Sequence, residues 1–367
     1  MSTKKGDYMA NFKLNFDWKK LGLSLTSTDL GVDLGTSNVV IYAENKGLVL
    51  REPAVVAMDK NTGKIIQVGA DARSMLGRTP GNVVAMHPLK DGVISDHEMT
   101  VDMLKVMFGK STEANVFTPK PRVVISVPSG ITEVEERNVI NAAIDAGARR
   151  VFLIEEPLAA ALGAGLDISG SEGYMVVDIG GGTTDIAVLT MNGVAVSSSL
   201  KVAGNHFDEQ IARYVRRTHG VAIGATTAEN VKIRLARAIP GTEVQSMSVK
   251  GRDIKTGMPR QVEITTEEVT EILRRPLKQI ADEILMVLEH TSPELVGDIA
   301  DHGIVITGGS AEMWGIGQMM AERTGITCTV ADDPAACTAI GCGKSLAWIK
   351  AMSEGPINIA RKRAMKS

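Results

Sequence analysis

The sequence predicts an α/β protein built from two similar halves, and three observations predict it. From residue 29 onward, strand-like and helix-like segments alternate, the pattern of layered α/β architecture. An apolar strand runs into an aspartate and glycine at "GVDLGTSNVVIY" (31–42), and again at "MVVDIGGGTTDIAVL" (175–189). The chain has 367 residues, too long for one ordinary core and suited to about two domains.

Residues 1–28 carry no clear fold signal. Phe12, Leu14, Phe16 and Trp18 alternate as in a strand, whereas Leu14, Trp18 and Leu21 would share a helical face, and Lys4, Lys5, Lys13, Lys19 and Lys20 surround them. The segment reads either as a tail or as a basic, aromatic stretch lying in a lipid interface. "DLGVDLG" then ends an apolar run, and "NVVIYAENKGLVL" reads as a hairpin turning near Asn45–Gly47. In "MLKVMFGK" (103–110), Met107 and Phe108 serve either as helix core or as a membrane-inserting pair. "RVVISVP" (122–128) is a buried strand. "TEVEERNVINAAIDAG" (132–147) is a helix with Thr132 and Glu135 as a capping box and Gly147 as its stop. "VFLIEEP" is a strand leading into the small-residue helix "LAAALGAGL".

In the second half, Asn192–Gly193 marks a hairpin turn. Helices are predicted near 206–219 and over 227–238, the latter behind Thr226 or Thr227. Alternation over 242–264 predicts an antiparallel hairpin. An amphipathic helix covers 266–290, with Pro276 expected to kink or divide it. "GIVITGGS" is a strand running into a third glycine turn, Gly308-Gly309-Ser310. "TAIGCGKS" (338–345) ends like a phosphate-binding loop but has Thr338 where the first glycine belongs, and reads as a late helix. The C-terminal "RKRAMK" reads as a solvated basic tail.

The paired glycine hairpins carry the chemistry. Glycine takes positive φ freely and lets backbone N–H groups converge on an anion with no Cβ in the way. Thr and Ser hydroxyls add donors. An aspartate beside a phosphate repels it unless a divalent cation lies between, and Mg²⁺ suits that bridging role. Asp33 and Asp178 with their hairpins therefore imply two jaws around a nucleotide phosphate chain plus Mg²⁺.

Composition excludes several other classes. The net charge of −3 argues against a nucleic-acid binder, which needs a basic face. Cys328, Cys337 and Cys342 form no zinc or CxxC spacing and fit a reducing compartment. The six histidines form no metal box. No secretory signal is visible, and no uncharged apolar run approaches the roughly 18 residues of a membrane span.

Taken in order, "DLGTSN", "VPSGITEVEER", "FLIEEPLAAALGAG", "VVDIGGGTTD" and "ITGGSAEM" resemble the actin/Hsp70/sugar-kinase ATPase superfamily. "EPAVVAMD", "HPLKDGVISD" and "TAENVKIRLARA" are similar to its bacterial actin branch, the MreB family, and the likeness runs over roughly residues 29–350. The resemblance implies an actin-like ATPase fold: two duplicated, ribonuclease-H-like α/β domains around a nucleotide cleft, each with a smaller inserted subdomain. Domain I would cover 29–169, with an insertion at about 52–98, and be completed by 339–360. Domain II would cover 170–338, with an insertion at about 206–268.

By the same resemblance, Thr36, Ser37 and Asn38 fall on the first phosphate hairpin and Gly181, Gly182 and Thr183 on the second. Asp33 and Asp178 match carboxylates that hold Mg²⁺ through water. Glu229, Asn230, Val231 and Lys232 match the nucleoside side, Gly309, Ser310, Ala311 and Glu312 the adenine-side loop, and Glu135 the residue that orients the attacking water. Two departures stand out: Asp185 where the family commonly has glutamate, and "GGSAEM" in place of "GGGALL", which sets Glu312 at an expected apolar edge.

The implied function is an ATP-binding, slowly hydrolysing, Mg-dependent cytoskeletal protein. Its protomers would join head to tail into open, paired protofilaments on the inner face of the cell membrane. There they would determine rod shape by organising wall synthesis with cell-elongation membrane proteins. The rivals are a small-molecule kinase of the same superfamily, an Hsp70-type chaperone, for which no peptide-binding domain is expected to follow, and a plasmid-segregating or organelle-aligning actin.

Overall fold

The computed structural model describes residues 28–112, 119–350 and, as backbone, 357–358. The basic aromatic segment expected over 1–28 lies outside the described residues apart from Thr28, as does "RKRAMK".

The chain opens with β1 (Leu30–Leu34), which turns at Gly35 into antiparallel β2 (Asn38–Ala43) and then into β3 (Gly47–Pro53). Asn45 and Gly47 make the second turn with φ of 66° and 80°, at the predicted place. A small sheet follows, with β4 (Val56–Asp59) between β5 (Ile65–Val68) and β6 (Val83–Met86), and α1 (Ala70–Ser74) beside it. A ribbon of β7 (Leu89–Lys90) and β8 (Val93–Ile94) leads to α2 (His97–Ser111), β9 (Arg122–Val127), α3 (Glu133–Asp145) and β10 (Arg150–Glu155). Helix α4 (Glu156–Ala164) then carries the chain into the second half.

There β11 (Tyr174–Ile179), β12 (Thr184–Thr190) and β13 (Gly193–Leu200) form an antiparallel meander. Helix α5 (Gly204–Tyr214) continues as a wider turn over Val215–His219, and β14 (Val221–Ala222) and α6 (Ala225–Leu235) follow. Next come β15 (Ser246–Asp253), β16 (Pro259–Thr265), α7 (Thr266–Glu289) and α8 (Pro293–His302). The chain ends through β17 (Ile304–Thr307), α9 (Ile316–Thr324), β18 (Cys328–Val330), α10 (Cys337–Lys350) and β19 (Ile357–Asn358).

The duplication read in the sequence is present in the topology. The first sheet runs β3-β2-β1-β9-β10, with β19 added at the edge, and the second runs β13-β12-β11-β17-β18. In each, a meander supplies the antiparallel half. Parallel pairs β1–β9 and β9–β10, or β11–β17 and β17–β18, supply the other half. In both halves the turn after the central strand is therefore the acid-headed glycine hairpin.

Each half has its own aliphatic core. Leu30, Val32, Ile41, Val123 and Ile125 pack under α2 and α3 in the first, and Val177, Ile186, Ile304 and Ile306 pack under α5 and α7 in the second. A third cluster joins the two. Val124, Phe152 and Ile154 from the first sheet meet Val176, Ala187 and Leu189 from the second around α4 and α10.

Four local expectations need correction. Met107 and Phe108 are 0% and 5% exposed and belong to the first core, so they are not poised for a lipid surface. Pro276 does not divide α7, which runs unbroken for 24 residues. Burial of Leu273, Leu277, Ile280 and Ile284, at about 1.5–3 kcal/mol each, outweighs the roughly 3 kcal/mol an internal proline costs. Helix α6 begins at Ala225 behind Gly224 rather than behind Thr226 or Thr227. Glu156 and Pro157 form the first turn of α4 rather than the end of the preceding strand.

Candidate functional site

A cleft of about 620 Å³ opens between the two sheets. Asp33 stands at the end of β1 and Asp178 at the end of β11, so both acids reach its floor from matching strands. Thr36, Ser37 and Asn38 line it from one hairpin, and Gly181, Gly182 and Thr183 from the other.

The hairpins interlock. A Cβ on Gly181 would collide with the Ser37 hydroxyl, and one on Gly182 would press on Thr36 Oγ1. Gly35, Gly180, Gly181 and Gly182 are not among the residues at positive φ, contrary to the conformational reason offered for them above. Their requirement is for space, and of the glycines beside the acids Gly308 takes positive φ, 87°. The Ser37 hydroxyl donates to Asn205 Oδ1 at 3.1 Å, and Ser310 Oγ donates to the Gly180 carbonyl at 2.8 Å. Lys232 Nζ donates to the Gly204 carbonyl at 3.0 Å and to Asp208 Oδ2 at 2.9 Å.

The floor is acidic and poorly solvated. Burial pushes Asp33 up to about 6, opposed by a hydrogen bond from Ser126. Burial, then the charges of Asp33 and Asp185, push Asp178 up to about 7. Glu156 stands well above the usual carboxylate range, through burial first and then the charges of Asp185, Asp33 and Asp178. Thr338 Oγ1 donates to Asp178 Oδ2 at 3.1 Å, but Asp178 Oδ1 is buried without a hydrogen-bond partner.

An orphaned carboxylate oxygen among like charges fits a cation, which would offset the desolvation. Among the described residues no group of three or more His, Cys, Asp or Glu could itself hold a metal ion. The donor set therefore fits a hydrated cation such as Mg²⁺, which keeps most of its waters.

Several candidates stand elsewhere. Glu135 does not line the cleft: its Oε2 accepts from Thr132 N at 2.9 Å and from Thr132 Oγ1 at 2.6 Å in a complete capping box. Those bonds hold its carboxyl below the usual range. Val231 and Ala311 are 0% and 2% exposed in the second core, and Asn230 is exposed outside the cleft lining. Glu229, Lys232, Gly309, Ser310 and Glu312 do line it, although Glu229 is engaged with Arg73 at 2.6 Å. The sequence reading missed Glu156 and Thr338. The doublet Glu155-Glu156, between a buried strand and a small-residue helix, was the available signal.

The sequence model of the family described as MreB/Mbl protein matches residues 27–354. The cell shape-determining protein Mbl of Bacillus subtilis (strain 168) is 48% identical over 318 residues, 87% of this chain and 95% of that protein. The cell shape-determining protein MreB of Escherichia coli (strain K12) is 48% identical over 328 residues, 88% and 94% of the two chains. Among solved structures, MreB5 of Spiroplasma citri bound to AMPPNP superposes with a TM-score of 0.84 at 37% identity, covering 89% of this chain and 97% of that one. The MamK double helical filament does so with a TM-score of 0.75 at 24% identity, over 88% and 99%.

Proposed function

Since the chain belongs to the MreB/Mbl family, we propose that it is a bacterial actin-like cytoskeletal protein that determines cell shape by assembling into nucleotide-dependent filaments. The observation that carries this reading is the pair of interlocked hairpins, headed by the half-buried Asp33 and the buried Asp178, facing one another across a single cleft. Relatives of the same fold have been captured with AMPPNP and with ADP, and a more distant one as a filament.

In this reading ATP lies in the cleft with its phosphates between the hairpins. Asp33 and Asp178 would hold Mg²⁺ through water, and that ion would neutralise phosphate charge. Thr36, Ser37 and Thr183 orient the phosphate chain, and Lys232 leaves Asp208 to meet the nucleotide. Glu156, rather than Glu135, orients the attacking water and accepts its proton. It lines the cleft floor, and a cation held by Asp33 and Asp178 would offset the like charges that raise its proton affinity, leaving it ionised for general-base work. Loss of the terminal phosphate removes a bridge between the hairpins, and the lobes rotate about α4 and α10.

We assign domain I to residues 29–169 with 339–360, and domain II to 170–338. The small sheet β5-β4-β6 and the sheet β14-β15-β16 would be their respective insertions, over about 52–98 and 206–268. Peripheral attachment to the inner membrane face through residues 1–28, and contact with wall-synthesis proteins, complete the proposal. Electron microscopy of the protein with Mg-ATP on a lipid monolayer tests it. Straight paired filaments are expected. Isolated molecules at every concentration, together with transfer of phosphate to a small acceptor, would turn the assignment to a kinase.

A further inference from the structure

Asp178 is held from the other side of the cleft. Its own strand, β11, belongs to the second sheet, whereas its hydroxyl donor, Thr338, stands in the first turn of α10. That helix lies against the first sheet: a Cβ on Gly31 of β1 would run into Gly343, and Cys342 Sγ donates to the Val32 carbonyl at 3.6 Å. Thr338 is also the residue that breaks the phosphate-loop pattern of "TAIGCGKS". It is buried, and its Oγ1 is given to this carboxylate.

The bond divides the two carboxylate oxygens. Oδ2 is taken by Thr338, while Oδ1 is buried without a partner beside Gly308, whose missing Cβ leaves that oxygen room. Asp33 has the matching arrangement. Ser126, buried on β9 next to β1, donates to its Oδ1 at 3.3 Å. A buried acid can turn away from such a donor only by leaving more of its oxygens unsatisfied. Each bond also favours the ionised acid against the burial that disfavours it. We propose that Thr338 and Ser126 are positioning residues for the nucleotide's cation, each pinning one acid by one oxygen and so fixing the carboxylate that faces the cation's water shell. This rests on the Mg-nucleotide reading above and adds the residues that set cation affinity. Donors behind ligating groups commonly act in this way, by fixing orientation. Because Thr338 rides on a helix of the first sheet and holds an acid of the second, the cation draws on both lobes at once.

The test is the Mg²⁺ requirement of ATP binding, read by isothermal titration of the full-length protein over a series of Mg²⁺ concentrations and with chelator. Thr338→Val keeps the shape and removes the donor, Thr338→Ser restores a hydroxyl, and Ser126→Ala removes the second donor. The Mg²⁺ concentration that half-saturates the gain in ATP affinity should rise about tenfold or more in Thr338→Val and in Ser126→Ala. It should return close to the wild-type value in Thr338→Ser, while residual binding with chelator is alike in all four proteins. An unchanged Mg²⁺ requirement in either donor-deleted variant would overturn the role of that residue. A Thr338→Ser protein that behaves like Thr338→Val would assign the effect to packing and overturn the hydroxyl's role, as would an equal loss of ATP affinity with chelator. Wild-type binding indifferent to Mg²⁺ would remove both this inference and its premise.

Discussion

Asp178 concentrates the site's chemistry in one side chain. Its pKa, raised to about 7 from an ordinary 3.8, means that the folded protein holds a proton which the unfolded chain gives up. Stability from that proton is fully present below about pH 4 and is lost as the pH rises through 7. The ionised carboxylate costs the fold about 1.4 kcal/mol for each pH unit of that displacement. Asp178→Asn should therefore melt higher than wild type at pH 8 without ligand, with the difference fading toward pH 4; thermal scans across that range measure it. Glu135 and Glu156 separate in the same way by experiment. Glu156→Gln should slow phosphate release by about a hundredfold or more. Glu135→Ala should lose about 1 kcal/mol of stability through its cap and keep the rate; a slowed rate with normal stability would restore Glu135 to the chemistry. The place of Asp33 and Asp178 in the cleft was legible because each stands one residue before a glycine turn, at the end of an apolar strand. Glu156 was not, because nothing in "LIEEP" says which acid turns toward a hairpin folded from residues far along the chain.

At the scale of elements, α4 and α10 cross so closely that only glycine fits at two contacts. A Cβ on Gly163 would enter the Cys337 carbonyl, and one on Gly341 would enter that of Ala159. These helices join the lobes through the shared cluster around Phe152 and Leu346, so their separation sets how the lobes meet. Gly341→Ala should destabilise by about 1–3 kcal/mol, the usual cost of overpacking, and denaturant unfolding measures it. A variant as stable as wild type would mean the helices part easily. Elements with strong periodicity or capping signals, such as α3 and α7, were readable in the sequence. Pro276 does not divide α7 because local proline chemistry is weaker than the core that the helix covers. The phosphate-loop look-alike resolved as α10, whose small residues serve contact with α4.

Across the whole molecule, the lobes touch by charge as well as by core. Arg51 pairs with Asp333 at 2.7 Å, Arg73 with Glu229 at 2.6 Å, and Lys201 with Asp91 at 3.9 Å, each across the cleft. Partly exposed pairs of this kind contribute about 0–1 kcal/mol apiece and weaken with salt. They can bias closure but cannot enforce it. Arg51→Ala with Arg73→Ala should open the nucleotide-free protein, read as a larger radius of gyration in solution scattering; an unchanged radius would leave closure to the α4–α10 core alone. The duplicated sheet order was foreshadowed by the repeated Asp-Gly turn, whereas the interlobe pairs join residues that no sequence pattern connects. The central claim is that two such lobes grip a metal-bound triphosphate through matched acid-headed hairpins. Isothermal titration of ATP with Mg²⁺ and with chelator, on wild type and Asp178→Asn, tests it most directly. Saturable binding that depends on Mg²⁺ and is lost in the variant is predicted; equal affinity with and without the metal, or undiminished binding in Asp178→Asn, would contradict it.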